Sequence, residues 1–289
     1  MNQRLRERTS TPLIAFGLLA FGISWGVWIP LALAAQGLIG LPLSPTLLTL
    51  LGAFGPSLAA ILLTATTEQW VGVRKLLGRL LIWRVGIHWY LFVLMWPAVL
   101  SLLTTAVHVV LGHAAPNFAH PPLLDLYPLP PNLGLIAWWV LVPLIVVQQL
   151  VVSSPMGEEI GWRGYALPRL QARTSPLGAS IILGLIWSVW HLPLYLTRGH
   201  PLAGEFFGWL PLGLIPTTIL FTWVFNHTRG SLLLALLFHA AINLTDLFLA
   251  RTATLPLISP ALTWVVALLV VGIGDRSGSQ AERRIFVQP

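Results

Sequence analysis

Stretches of apolar residues without a single charge recur along this chain. Residues 46–64, TLLTLLGAFGPSLAAILLT, are one example. A surface helix of a soluble protein would carry a polar face, and this stretch shows none over about 20 residues. An apolar stretch of roughly 18 residues is long enough to cross a lipid bilayer. We therefore predict an all-α, polytopic membrane protein rather than a large soluble helical protein.

About eight transmembrane helices account for the apolar stretches. Composition agrees with this class, because 56% of the residues are apolar and only 9% are charged. The chain has no cysteine, which excludes a disulfide framework and a thiol nucleophile. The predicted spans, with boundaries uncertain by a few residues, are 12–34, 46–66, 88–112, 133–154, 176–197, 206–226, 231–250 and 257–274.

The basic residues test the number of spans independently. If the N-terminus is cytoplasmic, every Lys and Arg except Arg198 and Arg251 falls on the cytoplasmic side. This division follows the positive-inside rule. With an odd number of spans, the basic residues in the second half of the chain would no longer fall on the cytoplasmic side. We therefore predict a multi-pass protein of the cell membrane with both termini in the cytoplasm. Because the basic residues are spread among membrane loops, the net charge of +7 does not indicate nucleic-acid binding.

The predicted external loop at residues 113–132 is rich in proline. Its sequence, HAAPNFAHPPLLDLYPLPPN, predicts irregular or interfacial structure. The sequence shows neither a soluble domain nor a convincing internal repeat. We therefore interpret residues 1–289 as a single transmembrane domain.

Ionisable residues at membrane depth are energetically costly and therefore point to function. Glu158 and Glu159 are adjacent after the predicted fourth span, and Arg163 follows four residues after Glu159. On a helix Glu159 and Arg163 share a face, whereas Glu158 is rotated by about 100° from its neighbour. We predict that Arg163 balances the charge of Glu159 and leaves Glu158 free to face a cavity. Ser154-Pro155 can begin a helix here, with proline in its first turn.

Three further polar residues lie in later spans. His191 belongs to the fifth span, and His239 and Asn243 are four residues apart in the seventh. A Glu, two His and an Asn supply a general base, proton donors and amide donors for an oxyanion, as amide hydrolysis by activated water requires. Glu158, His191 and His239 also form a His₂Glu set that suits a divalent metal such as Zn²⁺ with an open fourth position. The chain has no HExxH motif, and spacing alone does not separate the two mechanisms.

Structural roles also account for these residues when each is taken alone. The Glu159–Arg163 spacing is common in ion pairs on helix surfaces. His191 and Asn243 are both suited to hydrogen bonds between membrane helices. Asp246 lies seven residues after His239 and is left out of the predicted site.

The predicted depths of the two histidines differ. At about 1.5 Å per residue, His239 lies roughly 12 Å into the seventh span, and His191 lies roughly 22 Å into the fifth. A shared site therefore requires the fifth span to begin below the membrane surface, to tilt or to be broken. It also requires Glu158 to lie deeper than the predicted end of the fourth span allows.

Three motifs occur in this order along the second half of the chain: EEIGWR has the form EExxxR, WSVWH has the form FxxxH with Trp187 in place of Phe, and HAAIN has the form HxxxN. From about Gly157 to Asp246 the sequence resembles the CPBP family, the intramembrane proteases related to type II CAAX prenyl endopeptidases and to bacterial bacteriocin-processing or self-immunity proteins. The resemblance implies a catalytic core at about residues 150–250. We expect Trp187 to alter packing or substrate shape rather than the chemistry.

The resemblance also implies a role for each site residue. Glu158 would activate water, His191 would be its partner, and His239 with Asn243 would surround the oxyanion. The adjacent acid and its arginine would support that site. The predicted site residues are Glu158, Glu159, Arg163, His191, His239 and Asn243.

The function implied by the motifs is endopeptidase cleavage of a membrane-associated peptide or protein, of which CAAX-box protein processing is one form. Its cofactor is either absent or a divalent metal such as zinc. A non-catalytic membrane protein is the alternative, either a proton-coupled transporter that uses the buried acids as a relay or an immunity and scaffold protein. Paired inverted repeats would favour transport, and none is detectable in the sequence.

Overall fold

The computed structural model of the chain describes residues 3–126, 134–249 and 257–276, and these ranges contain helices and no strand. A 3₁₀ turn at Arg79–Leu81 and a π-helical segment at Ile160–Ala166 add to the α-helices. The α-helices are α1 (Gln3–Ala35), α2 (Pro45–Ala53), α3 (Gly55–Gly78), α4 (Ile87–Val110), α5 (Leu123–Leu126), α6 (Gly134–Val151), α7 (Ser154–Glu159), α8 (Leu167–Gln171), α9 (Pro176–Trp190), α10 (Leu192–Tyr195), α11 (Trp209–His227), α12 (Leu232–Phe248) and α13 (Ile258–Arg276).

The predicted all-α, polytopic membrane class is confirmed. Among the described residues, α9, α12 and the apolar part of α13, Ile258–Gly272, are shorter than a full span. Large apolar side chains are exposed on the helices. The exposed fraction is 71% for Leu18 and 52% for Leu62, which indicates surfaces that face lipid rather than water. The segments long and apolar enough to cross a membrane are Pro12–Ala35, Pro45–Leu81, Ile87–Val110, Trp139–Gln171 and Trp209–His227.

The second candidate span, Pro45–Leu81, continues past the predicted boundary at residue 66. Helix α3 turns sharply at Gln69, whose backbone has φ 56° and ψ −161°. A positive φ is uncommon for a residue other than glycine, so this position marks a real change of direction. Exposed basic residues, Arg74 and Lys75, follow the turn. The segment therefore changes direction and becomes basic shortly after the predicted boundary, although the helix continues.

The fourth span is longer than predicted and is broken once. Helix α6 ends at Val151, Ser153 has an extended backbone, and α7 then begins at Ser154 with proline in its first turn, as the sequence predicts. Helical structure continues from there to Gln171. The predicted end at residue 154 is therefore wrong. Hydropathy falls at the charged residues that follow, but these charges are buried against one another inside the bundle and so do not end the segment.

Helix α7 is fixed to the junction of α2 and α3 by close main-chain contacts. A Cβ atom on Gly157 would lie 2.6 Å from the carbonyl oxygen of Ala53. A Cβ atom on Gly161 would lie 2.4 Å from the carbonyl oxygen of Pro56. Only glycine allows backbones to approach this closely, and small residues commonly have this role between membrane helices. The two glutamates between these glycines are thereby held in a fixed position against α2 and α3.

The loop predicted to be external is largely irregular where the structure describes it. Residues 113–122 form turns and non-helical backbone, and the four-residue helix α5 follows. His120 Nε2 lies 2.9 Å from Asp125 Oδ1 on this surface. The rest of the predicted loop, together with Arg251 and the C-terminal residues 277–289 used in the charge division, lies outside the described residues.

Because the chain has no cysteine, single introduced cysteines can report the orientation of the helices in the membrane. Ala119 and Lys75 are both exposed. We expect a membrane-impermeant thiol reagent to label Lys75→Cys only from the cytoplasmic side and Ala119→Cys only from the opposite side, because basic loops are retained inside. Labelling of Ala119→Cys from the cytoplasmic side alone would contradict this topology.

Candidate active site

The two adjacent glutamates are buried at the C-terminal end of α7. Glu158 is 3% exposed and Glu159 is fully buried. Arg163, in the π-helical segment that follows, donates from Nη1 to Glu159 Oε1 over 2.8 Å. This confirms the predicted ion pair, but both of its side chains have no exposure, so it is not a helix-surface pair. Removing one partner would leave an uncompensated charge in the interior.

Helix α12 adds a second donor to the same carboxylate oxygen. His239 Nδ1 lies 2.8 Å from Glu159 Oε1. A carboxylate oxygen accepts, so His239 Nδ1 carries the proton and donates it. Glu159 thus accepts hydrogen bonds from Arg163 and from His239 on one atom. The second ring nitrogen of His239, Nε2, is left for other partners.

Aromatic rings enclose the buried arginine. The Arg163 guanidinium carbon lies 4.4 Å from the ring centroid of Trp187 and 3.9 Å from that of Phe221. Within the described part of the chain, Arg163 Nε and Nη2 and Glu159 Oε2 have no hydrogen-bond partner. Cation–π attraction between the guanidinium and the two ring faces offsets part of that loss, and it is strongest where water is excluded.

Glu158 is not free, contrary to the prediction. The indole N–H of Trp187 on α9 donates to Glu158 Oε2 over a short 2.6 Å. The tryptophan is itself only 4% exposed, so it covers the carboxylate inside the bundle. This contact engages one carboxylate oxygen and leaves Oε1 as the second acceptor. The arrangement could not be read from the sequence, because the two residues belong to different helices.

His191 lies at the break between α9 and α10, where α9 ends at Trp190. Its Nδ1 lies 2.8 Å from the carbonyl oxygen of Trp187, and since a carbonyl only accepts, Nδ1 is protonated and Nε2 is not in the neutral ring. The Trp187 indole lies 6.0 Å from the His191 ring and 5.7 Å from the His239 ring, between centroids. The interrupted fifth span thus brings both histidines to one indole, as a shared site requires.

Asn243 connects helices in this structure. Its Nδ2 donates to Gln149 Oε1 over 3.1 Å and to Ser154 Oγ over 3.0 Å, which joins α12 to α6 and α7. Both amide protons are therefore used. Donation to an oxyanion would require Asn243 to exchange at least one of these partners, and that role stays a prediction.

The zinc alternative concerns Glu158, His191 and His239. In residues 3–126, 134–249 and 257–276, no group of three or more His, Asp and Glu side chains has an arrangement that could hold a metal ion. Trp187 donates to one oxygen of Glu158, and both histidines donate Nδ1–H to protein acceptors and leave Nε2 open, which is also how metal-ligating histidines are commonly held. Zinc binding therefore stays a prediction.

Comparison with known proteins identifies the segment that contains the site. Residues 133–245 match the family model of the type II CAAX prenyl endopeptidase Rce1-like proteins. The chain is also 37% identical over 129 residues to a protein of Methanococcus maripaludis named CAAX prenyl protease 2. That alignment covers 42% of this chain and 47% of the other, so the chain spans about half the length of the curated relative it matches. All of the predicted site residues lie within the segment matched by the family model.

Proposed function

We propose, from the similarity of residues 133–245 to the type II CAAX prenyl endopeptidase-like family, that this chain is an intramembrane endopeptidase. The observation that carries the proposal is a buried group of Glu158, Glu159, Arg163 and His239 inside an all-helical membrane bundle. Ionisable side chains are rare at such depth unless they serve a site. The proposed reaction is hydrolysis of a peptide bond in a membrane-associated substrate.

Glu158 is the proposed general base. Its Oε1 takes a proton from water while the water oxygen forms a bond to the carbonyl carbon of the scissile peptide. The carbonyl π electrons move to oxygen and give a tetrahedral oxyanion. The proton held by Glu158 then passes to the amide nitrogen as the carbon–nitrogen bond breaks. Proton transfer by a positioned carboxylate typically contributes about 10²- to 10⁴-fold to the rate.

The histidines have separate proposed roles. Glu159 holds the Nδ1–H of His239, which leaves Nε2 as the ring atom that donates to the oxyanion when the imidazole is protonated. The carbonyl of Trp187 holds the Nδ1–H of His191, so its unprotonated Nε2 accepts a hydrogen bond from the attacking water. Fixed donors of this kind are most effective in a site that excludes bulk water. The near-complete burial of Glu158 and His239 supports this condition.

The substrate is proposed only as a chemical class, a peptide or protein held at the bilayer. The printed name of the Methanococcus maripaludis relative makes a prenylated CAAX peptide one candidate within that class. An unprenylated membrane peptide is the other. The geometry of the site does not distinguish them, so both belong in the assay.

The proposal can be tested with protein reconstituted in liposomes. A library of membrane-associated peptides would be supplied together with a CAAX peptide in prenylated and unprenylated forms, and mass spectrometry would identify new peptide termini. We expect cleavage that is lost in Glu158→Gln. Peptide binding without cleavage would favour an immunity or scaffold protein, and proton-coupled flux without cleavage would favour a transporter; either result would overturn the proposal.

Metal dependence is a separate prediction, measured on the same preparation. Because proton transfer to Glu158 needs no metal in the proposed reaction, we expect hydrolysis to persist in protein shown by elemental analysis to be free of zinc. Stoichiometric zinc that accompanies activity, with hydrolysis lost on its removal and restored on its return, would instead establish the His₂Glu site.

A further inference from the structure

Trp187 contacts four ionisable residues in and around the site. Its indole N–H donates to Glu158, and its main-chain carbonyl accepts from His191. Its ring lies against the guanidinium of Arg163 and, edge to face, against the imidazole of His239. One residue of α9 therefore connects groups supplied by α7, the π-helical segment and α12. A residue that contributed only packing would not need the indole N–H that donates to Glu158.

The donor is also the feature that distinguishes Trp187 from the phenylalanine of the FxxxH motif. Phenylalanine supplies a ring face and edge but has no N–H group. A carboxylate rotates readily about its last side-chain bond, because this torsion has a broad energy profile. A 2.6 Å hydrogen bond to Oε2 restricts that rotation and thereby directs Oε1. The tryptophan thus adds an orienting contact that the phenylalanine could not make.

We propose that Trp187 is the positioning residue of the site, with its indole N–H fixing the carboxylate of Glu158 so that Oε1 accepts the proton of the attacking water. This inference rests on the proposed endopeptidase function. It replaces the expectation that tryptophan at this position affects only packing or substrate shape. His191 donates to the main-chain carbonyl of Trp187. A side-chain substitution at position 187 therefore leaves this hydrogen bond in place and tests the indole alone.

The test compares turnover in two variants that lack the N–H. Trp187→Phe keeps an aromatic ring beside Arg163 and removes the donor. Benzothienylalanine placed at position 187 by codon suppression keeps the ring size and replaces only the N–H by sulfur. We expect kcat to fall by roughly 10-fold or more in both, the size expected for a hydrogen bond to a charged group, while KM changes by less than about 2-fold. The Michaelis constant is spared because Trp187 acts on the base and not on the bound peptide.

A matched control separates the donor from the ring. Trp162 is fully buried, and its indole N–H has no hydrogen-bond partner among the described residues. Trp162→Phe removes a similar ring area without removing a hydrogen bond. We expect this variant to lose thermal stability and to keep kcat near the wild-type value. An equal loss of kcat in Trp162→Phe and Trp187→Phe would show a packing effect and would overturn the inference.

A double-mutant cycle separates this inference from the proposed function. In a Glu158→Gln background, Trp187→Phe should lower the residual turnover no further, because there is no proton acceptor left to orient. If Glu158→Gln is inactive while Trp187→Phe keeps the wild-type kcat, the inference fails and the proposed function stands. If Glu158→Gln keeps full turnover, Glu158 is not the general base, and both its proposed role and the inference that rests on it fail.

Discussion

Glu158→Gln should fold normally and lose peptide hydrolysis by a factor on the order of 10² to 10⁴, the usual contribution of a general base. Glutamine keeps the shape of the side chain and can still accept the indole N–H of Trp187 through its amide oxygen. It cannot accept a proton from water. Turnover and melting temperature should be measured in the same detergent, so that a loss of activity is not confused with a loss of fold.

The control for this substitution is Glu205→Gln. Glu205 is exposed in the segment between α10 and α11, so the same chemical change there should leave turnover and melting temperature unaltered. If Glu158→Gln hydrolyses peptide at a near-normal rate while Glu159→Gln is folded and inactive, the roles of the two glutamates are reversed. If neither substitution alters turnover, the assignment of the catalytic site to this pair of glutamates is contradicted.

Glu159→Gln should lower stability as well as activity. It leaves Arg163 charged in a site where both partners are fully buried, and breaking a buried ion pair in this way costs about 3–5 kcal/mol. For a chain of this size the apparent melting temperature should fall by on the order of 10 °C. Activity should fall too, because the Nδ1–H of His239 loses its charged acceptor. Thermal melts and hydrolysis rates in one detergent measure both effects.

Two comparisons make this prediction specific. Adding Arg163→Met to Glu159→Gln should recover part of the lost stability, since methionine fills the space between Trp187 and Phe221 without a charge. Arg163→Met should recover no stability when it is added to Glu158→Gln. Glu68→Gln breaks a second ion pair, with Arg169 at 3.0 Å, but that pair is partly exposed and should cost at most about 1 kcal/mol. A similar fall in melting temperature in Glu68→Gln and Glu159→Gln would contradict the expectation that the buried ion pair contributes more stability than the exposed one.

The sequence predicted the helical membrane class because hydropathy and length act locally. Each apolar stretch had to satisfy its own backbone hydrogen bonds, which in a membrane means a helix. The end of the fourth span was missed because that boundary depends on contacts between distant residues. Glu159 looks like a membrane boundary when the sequence is read in order, but it is an interior residue that pairs with Arg163 and accepts a hydrogen bond from His239.

Part of the site could also be predicted from local sequence patterns, and the contacts between distant residues could not. The Glu159–Arg163 pair follows from a spacing of four on a helix, and the structure contains it. The contact of His239 with Glu159 spans 80 positions and leaves no local pattern. Phe221 also carried no signal, because a phenylalanine in an apolar helix is ordinary. Trp187 differs from the motif in sequence, but its donor contact with Glu158 joins two different helices and has no local pattern.

Two kinds of contact hold α7 in the bundle, and they respond differently to movement. Gly157, together with Gly161 in the π-helical segment that follows, presses its main chain against that of α2 and α3, so a rotation of α7 toward those helices would drive backbone atoms into each other. Between α12 and its neighbours α6 and α7 the contact runs through the side chain of Asn243, and such hydrogen bonds can pass to a new partner without moving the backbone. The contact with α2 and α3 is therefore rigid, whereas the contact through Asn243 can be exchanged.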